Sequence, residues 1–364
     1  MEFNANSLSQ IFRIPSADYS FEHLLCGHIN TTYKILKDGK PLYILQKVNT
    51  DVFKNIDNLM DNFQMVVRNF IGNRPEDDLE LKIPEIIPCN NDSLYYTDNQ
   101  SQHWRLITYI NGADNNSVGL CEHVSYQGGR AFGSFLKGVS GINPDSIHEI
   151  LPDFHSLEKR YNDFSTAVQS DIVKRSTFAT EEIRFAVSRY QSMRKIPSLI
   201  ENGIIPLRLV HNDTKLSNVI FAGCGKAVGV VDLDTVMPGS ALFDFGDAIR
   251  SSANMASEDE QDLSKVHFDI GLFEAFAHGY LDTAGDLLTK TERELLPDSA
   301  LLLTYIIGIR FLTDYLNGDI YYQTKYDDHN LIRARVQFRL LSQMESELVN
   351  MQKVIDHLMI KTTD

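Results

Sequence analysis

The sequence predicts an α+β chain in two lobes. A small antiparallel-sheet lobe is expected over residues 1–110 and a larger, mainly helical lobe over 111–364. Three observations carry this: strand-like segments crowd into the first part, helical periodicity dominates after Ala113, and one polar loop between short apolar runs interrupts the helical part near residue 211. Tyr19–Leu24 and Tyr33–Leu36 read as strands joined by a polar link, Cys26-Gly27-His28-Ile29-Asn30-Thr31-Thr32. Asp38-Gly39-Lys40-Pro41 is a turn and Leu42–Val48 the third strand. Residues Asp51–Ile71 place Val52, Ile56, Leu59, Met60, Phe63, Val66, Val67 and Phe70 at helical spacing. After Pro84 and Pro88, Leu94–Thr97 and His103–Ile110 read as a hairpin.

In the second lobe Val124–Leu136 and Thr180–Met193 have helical patterns. Leu207–Val210, Val219–Phe221 and Ala227–Val231 are short strands, with Gly223 and Gly225 turning the last two. A turn at Pro238-Gly239 precedes a helix that opens at Asp244. Ser299–Leu316 is apolar nearly all round, so it reads as buried, capped by Asp298 or Ser299 and ended by Gly318.

Composition narrows the class. Hydrophobic residues make up 43% of 364, which argues against disorder, and the net charge of −15 disfavours nucleic acid and anionic membrane as partners. Cys26, Cys89, Cys121 and Cys224 are far apart and read as isolated thiols. The first residues carry no basic region before an apolar core, and Ala300–Ile309 is too short to span a bilayer. A cytoplasmic protein is expected.

The chemistry concentrates between Leu209 and Asp234, in LVHNDTKLSNVIFAGCGKAVGVVDLD. His211, Asp213 and Asn218 form H-x-D-x-x-x-x-N, and Asp232 follows at the end of an apolar run. Kinase-type phosphoryl transfer uses an aspartate to accept the proton of the attacking hydroxyl, an asparagine for one Mg²⁺, and a later aspartate for the metal that bridges the phosphates. The two-lobed fold is therefore expected to be protein-kinase-like, with ATP and Mg²⁺ as cofactors. No G-x-G-x-x-G and no G-x-x-x-x-G-K-[ST] occurs. The link with Gly27, His28 and Asn30 is placed to lie over nucleotide phosphates, or is an ordinary hairpin turn. The third strand offers Lys47 as the phosphate cation, whereas a one-residue slip turns Gln46 to the cleft instead. Because Asp51–Ile71 holds no glutamate, an ion pair to that lysine would fall to Asp57 or Asp61. Thr108–Gly112 reads as the hinge, where backbone groups of Thr108, Tyr109 and Ile110 are placed to reach an adenine, or Tyr109 is plain core. Asp244 either orients the catalytic loop or caps its helix. Arg310 and Asp314 share one face of the apolar helix, as a structural ion pair or as an edge facing a hydroxyl-rich substrate.

The chain resembles the aminoglycoside phosphotransferase and choline kinase superfamily in HxDxxxxN followed by VVDLD without a glycine loop. More closely, it resembles the bacterial N-acetylhexosamine 1-kinases. The segments are GHINTTY at 27–33, YILQKVN at 43–49, WRLITYING at 104–112, FHSLEKRY at 154–161 and HNDTKLSNVIF at 211–221. They continue with VDLDTVMPGSALFDFGDAIR at 231–250, GIRFLTDYLNGD at 308–319 and HNLIRARVQ at 329–337. That resemblance implies ATP- and Mg²⁺-dependent phosphorylation of the anomeric hydroxyl of N-acetylglucosamine or N-acetylgalactosamine. It implies Asp213 as catalytic base, Asn218 and Asp232 as metal ligands with Asp234 as a second acid, and Arg310 and Asp314 at the substrate. Arg160 and His155 are further sugar candidates, His211 a brace for the loop, and Lys215 either a neutraliser of phosphate charge or a solvated loop lysine. Two rivals stand beside it: a kinase of an amino alcohol, homoserine or aminoglycoside, and a catalytically silent kinase fold that binds a sugar or a protein.

Overall fold

The computed structural model describes residues 5–24, 29–73, 79–112 and 119–361. A short helix α1 (Ala5–Ile11) precedes an antiparallel sheet built from β1 (Tyr19–Leu24), β2 (Thr31–Lys37), β3 (Lys40–Val48), β4 (Ile86–Ile87), β5 (Tyr96–Thr97) and β6 (His103–Thr108). The spatial order is β1-β2-β3-β6-β4, and β5 also pairs with β6. Helix α2 (Ile56–Gly72) starts later than its apolar pattern suggests. Asn55 caps it by accepting the Asn58 N–H at 3.1 Å, so the preceding residues are held outside the helix.

The two faces of the sheet have different fates. Tyr33, Ile35, Leu45, Trp104 and Leu106 pack together with Leu8 and Phe12 of the N-terminal segment. Ile44 and Ile107 join the large core that continues into the second lobe. Strand alternation thus decides which side chains look toward the cleft.

The second lobe is helical, as the sequence predicts. It contains α3 (Glu122–Val139), α4 (Leu157–Ser170), α5 (Thr180–Met193), α6 (Lys195–Glu201), α7 (Ala241–Ser252), α8 (Ile270–Ala284), α9 (Lys290–Glu294), α10 (Leu296–Asn317) and α11 (His329–Lys361). Helices α3 and α8 approach closely because glycines face backbone. A Cβ on Gly129 would lie 2.1 Å from the Phe276 carbonyl oxygen, and one on Gly279 would lie 2.0 Å from that of Tyr126. Helix α10 is buried on nearly all sides and packs against α4, α7 and α11. It is long and apolar enough to cross a bilayer, longer than the run Ala300–Ile309, but its residues are core. Gly318 ends it at φ 93°. Neither predicted cap acts. Asp298 takes the Lys195 ammonium at 3.0 Å and Ser299 Oγ donates to the Leu296 carbonyl, while the helix begins earlier, with Pro297 in its first turn.

Two short ladders carry the chemistry-bearing loop. Strand β7 (Arg208–Val210) pairs with β10 (Met237–Gly239), and β8 (Val219–Phe221) with β9 (Ala227–Val230). Pro238 and Gly239 therefore form a strand rather than a turn. Ser240 caps α7, accepting the Leu242 N–H at 3.2 Å, which leaves Asp244 free for another task.

Candidate active site

The loop after β7 is held by its own backbone. The Asp244 carboxylate accepts the N–H groups of His211 at 2.8 Å and Asn212 at 2.7 Å. Thr214 Oγ1 donates to the Asp244 carbonyl, and Thr235 Oγ1 donates to that of His211 at 2.7 Å. Burial pushes the Asp244 carboxyl up to about 7 against those two N–H donors. Asp244 thus orients the loop, and helix capping belongs to Ser240. Asn212 adopts φ 62°, a left-handed conformation that asparagine tolerates better than most residues.

His211 is buried between the rings of Phe132 and Phe135, at 5.7 and 5.3 Å. Its Nε2 faces the Val231 carbonyl at 3.0 Å and its Nδ1 faces the Asp213 N–H at 3.3 Å. Those partners require a neutral imidazole with the proton on Nε2, and burial lowers its pKa. The ring ties the catalytic loop to the end of β9.

Asp213 is part-buried. Its Oδ2 lies 3.1 Å from Asn218 Nδ2 and 3.2 Å from the Lys215 ammonium, while Oδ1 has no donor among the described residues. Asn218 Nδ2 also donates to the Asp213 carbonyl at 2.8 Å, which leaves its Oδ1 for another group. Asp232 sits at φ 66° and opens into the cleft without a hydrogen-bond donor among the described residues. The surrounding protein and the charges of Asp234 and Asp213 push its carboxyl up to about 7. An unneutralised carboxylate beside a free amide oxygen is the hard oxygen set that Mg²⁺ takes. No group of three or more His, Cys, Asp and Glu that could hold a metal gathers among the described residues.

Asp234 departs from the metal role expected for it. Both its oxygens meet the Arg105 guanidinium, Oδ2 at 2.8 Å from Nη2, and Asn30 Nδ2 donates to the same oxygen at 2.8 Å. Arg105 also reaches Gln46 Oε1 from Nε at 3.0 Å and from Nη2 at 2.8 Å. Thr32, Gln46 and Arg105 are directly opposed across β2, β3 and β6, so they share the cleft face. Lys47 lies one residue on, opposite Thr31 and Trp104 on the other face. Lys47 as the phosphate cation is thus corrected by the register. Neither Asp57 nor Asp61 pairs with it: Asp57 accepts the Tyr95 hydroxyl at 2.7 Å and Asp61 is exposed.

The remaining nucleotide candidates are changed in part. Gly27 and His28 lie outside the described residues. The side chain of Asn30 is committed to Asp234 and to the Asn49 N–H, at 3.0 Å from the latter. At the hinge, the Thr108 N–H goes to the Glu85 carbonyl at 2.9 Å and the Tyr109 N–H to that of Leu42 at 3.0 Å. Neither is a free donor for a base, and Ile110 is buried.

On the opposite wall, His155 is no surface ligand. It is 6% exposed, and its Nε2 meets the Asn212 carbonyl at 2.9 Å. Burial lowers its pKa to about 4, so it stays neutral and anchors the catalytic loop. Asp314 is likewise committed. It accepts the N–H groups of Ile320, Tyr321 and Tyr322 at 2.8–3.0 Å and Asn330 Nδ2 at 2.9 Å, fastening the loop after α10. It forms no ion pair with Arg310. The Arg310 guanidinium lies 5.1 Å from the Phe154 ring and 5.9 Å from that of Tyr322, with no hydrogen-bond acceptor among the described residues. Arg160 donates from Nε and Nη2 to the Phe154 carbonyl at 3.3 and 3.1 Å. Two guanidiniums therefore converge on Phe154, beside the histidine that holds the catalytic loop.

Arg105 joins this candidate site through Gln46 and Asp234, and sequence reading missed it. Its only local signal is one charge within the otherwise apolar run WRLIT.

A sheet lobe, a helical lobe and an Asp213–Asn218–Asp232 cleft between them define a protein-kinase-like phosphotransferase. The chain matches the phosphotransferase enzyme family over residues 23–292 and belongs to it. Solved structures share the fold at low identity. A microcompartment-associated aminopropanol kinase is 15% identical with a TM-score of 0.60, covering 96% of this chain and 97% of the other. Choline kinase from Cryptosporidium parvum is 14% identical at 0.59, covering 97% and 93%. A ternary complex of streptomycin, ATP and an aminoglycoside phosphotransferase is 18% identical at 0.51, covering 90% and 93%.

Proposed function

We propose that this phosphotransferase is an ATP- and Mg²⁺-dependent small-molecule kinase that phosphorylates the anomeric 1-hydroxyl of an N-acetylhexosamine. The observation that carries the acceptor is the wall of Arg310, Arg160, Phe154 and Tyr322. An ammonium-bearing acceptor is best met by a carboxylate with no partner of its own, and four acids near this wall each have one already. Asp314 holds backbone, Asp319 pairs with Arg175, Asp163 lies against Lys159, and Asp247 meets Arg250 at 2.9 Å. A guanidinium without an acceptor, framed by aromatic rings, suits the carbonyl and hydroxyl oxygens of a neutral N-acylated sugar.

The steps follow from charge placement. Asp213 Oδ1 accepts a hydrogen bond from the acceptor hydroxyl and takes its proton as the phosphoryl transfers. Asn218 and Lys215 fix the other oxygen and so aim the carboxylate. Asp232 and Asn218 Oδ1 would hold the Mg²⁺, which supplies neutralisation of phosphate charge. Neutral His211 and His155 hold the loop and take no proton.

A coupled ADP-release assay across N-acetylglucosamine, N-acetylgalactosamine, ethanolamine, homoserine and an aminoglycoside tests the reading. Turnover confined to the two sugars is expected. Preference for an amino alcohol or aminoglycoside overturns the acceptor assignment, and no turnover with any of them favours a silent binding protein.

A further inference from the structure

Strand β3 places no cation in the cleft. The cleft-facing row across β2, β3 and β6 reads Thr32, Gln46, Arg105, and Lys47 belongs to the opposite face. Gln46 Nε2 donates to Thr32 Oγ1 at 3.3 Å while its Oε1 receives Arg105, so the β3 position is neutral and serves to hold the guanidinium plane. Two cations flank the acidic groups of the cleft: Lys215 pairs with Asp213 and Arg105 with Asp234. Lys215 lies on the Asp213 side of the cleft, beside the group that meets the acceptor. Arg105 lies on the sheet side. Of its five N–H groups, four hydrogen bonds go to Gln46 and Asp234, and the second Nη1 hydrogen has no acceptor among the described residues.

We propose that Arg105, on β6, is the cation that meets the nucleotide phosphates in this chain, replacing a lysine on β3. The assignment rests on the ATP-dependent reading of the cleft and is independent of the acceptor. In the present arrangement Asp234 meets the guanidinium, and Asn30 in turn donates to Asp234. A phosphate oxygen therefore takes the place of an Asp234 oxygen. One anion replaces another, and the buried guanidinium is never left unpaired, which is the state that costs most. Arginine suits the post because its planar fork meets two oxygens at once.

Calorimetric titration of ADP and of adenosine into Arg105→Met/Asp234→Asn tests the assignment, since that variant removes charge and countercharge together. ADP affinity is expected to fall about ten- to a hundredfold, the scale of a charged hydrogen-bond partner, with adenosine affinity unchanged. Adding Gln46→Lys, which returns a cation from the directly opposed position, is expected to regain part of the loss. Unchanged ADP affinity, equal losses for ADP and adenosine, or no regain with Gln46→Lys overturns the assignment. If the double variant does not fold, Arg105→Lys is read the same way: a selective loss of ADP affinity supports the role, and wild-type affinity overturns it. A wild-type protein that binds ADP and phosphorylates no sugar leaves this inference standing and removes the acceptor reading alone.

Discussion

At Asp213 one carboxylate oxygen is fixed by Asn218 and Lys215 and the other faces the cleft without a donor. Asp213→Asn keeps the shape and loses the proton acceptor. Turnover is expected to drop about 10²–10⁴-fold with ADP affinity nearly unchanged, measured by steady-state assay and calorimetry on the same preparation. In the proposed metal site, Asp232 would contribute charge and Asn218 only a dipole. Titration of Mg²⁺ against activity is therefore expected to show a larger rise in half-saturation for Asp232→Ala than for Asn218→Ala; the reverse order would remove Asp232 from the metal. Arg310→Ala is expected to lower kcat/KM for the sugar about ten- to a hundredfold while the KM for ATP and the Tm barely move, because the guanidinium has no hydrogen-bond acceptor among the described residues. A large drop in Tm with an unchanged sugar KM would assign it a structural role instead. The proximity of Asp213, Lys215 and Asn218 was legible because they lie on one short loop, where spacing alone brings them together. Lys47 and Gln46 were not, because strand alternation inverts with a single residue of register. Arg105 was hidden for another reason: its partner Asp234 is distant in sequence.

The elements were legible where apolar periodicity is long. Helix α5 was found with its boundaries, and the continuous apolar run of α10 announced a buried helix. Boundaries set by side-chain hydrogen bonds were harder to read. Asn55 delays α2 and Ser240 starts α7, and both act through one short polar side chain on one N–H. The loop after α10 is the clearest case, since Asp314 reads as half of an ion pair in sequence and closes three backbone N–H groups in space. Asp314→Ala leaves those donors and Asn330 without their acceptor. A loss of about 3 kcal/mol in unfolding free energy is expected from chemical denaturation, accompanied by a raised sugar KM as Tyr322 loosens beneath Arg310. Unchanged stability would show that water replaces the carboxylate without penalty.

Across the whole molecule, the cleft stores charge that one cation relieves. The Asp232 carboxyl is held up at about 7 in the folded protein, above the ordinary unfolded value near 4. Between those values the folded state keeps the proton that the unfolded state releases, so this group's contribution to stability falls as pH rises through that window. In the proposed site Mg²⁺ would compete with the same proton. Its addition is expected to raise Tm more at pH 8 than at pH 6, by differential scanning calorimetry; an equal or inverted shift would place the ion away from Asp232. The ion pair that joins the lobes has a consequence for synthesis. Arg105 and Asp234 are separated by 129 positions in the chain. At ordinary elongation rates the sheet that carries Arg105 leaves the ribosome on the order of ten seconds before Asp234 does. Through that interval the guanidinium waits in a half-built cleft with no carboxylate from the second lobe, and a nascent chain of this protein acquires the pair only when nearly two-thirds of the sequence has been made.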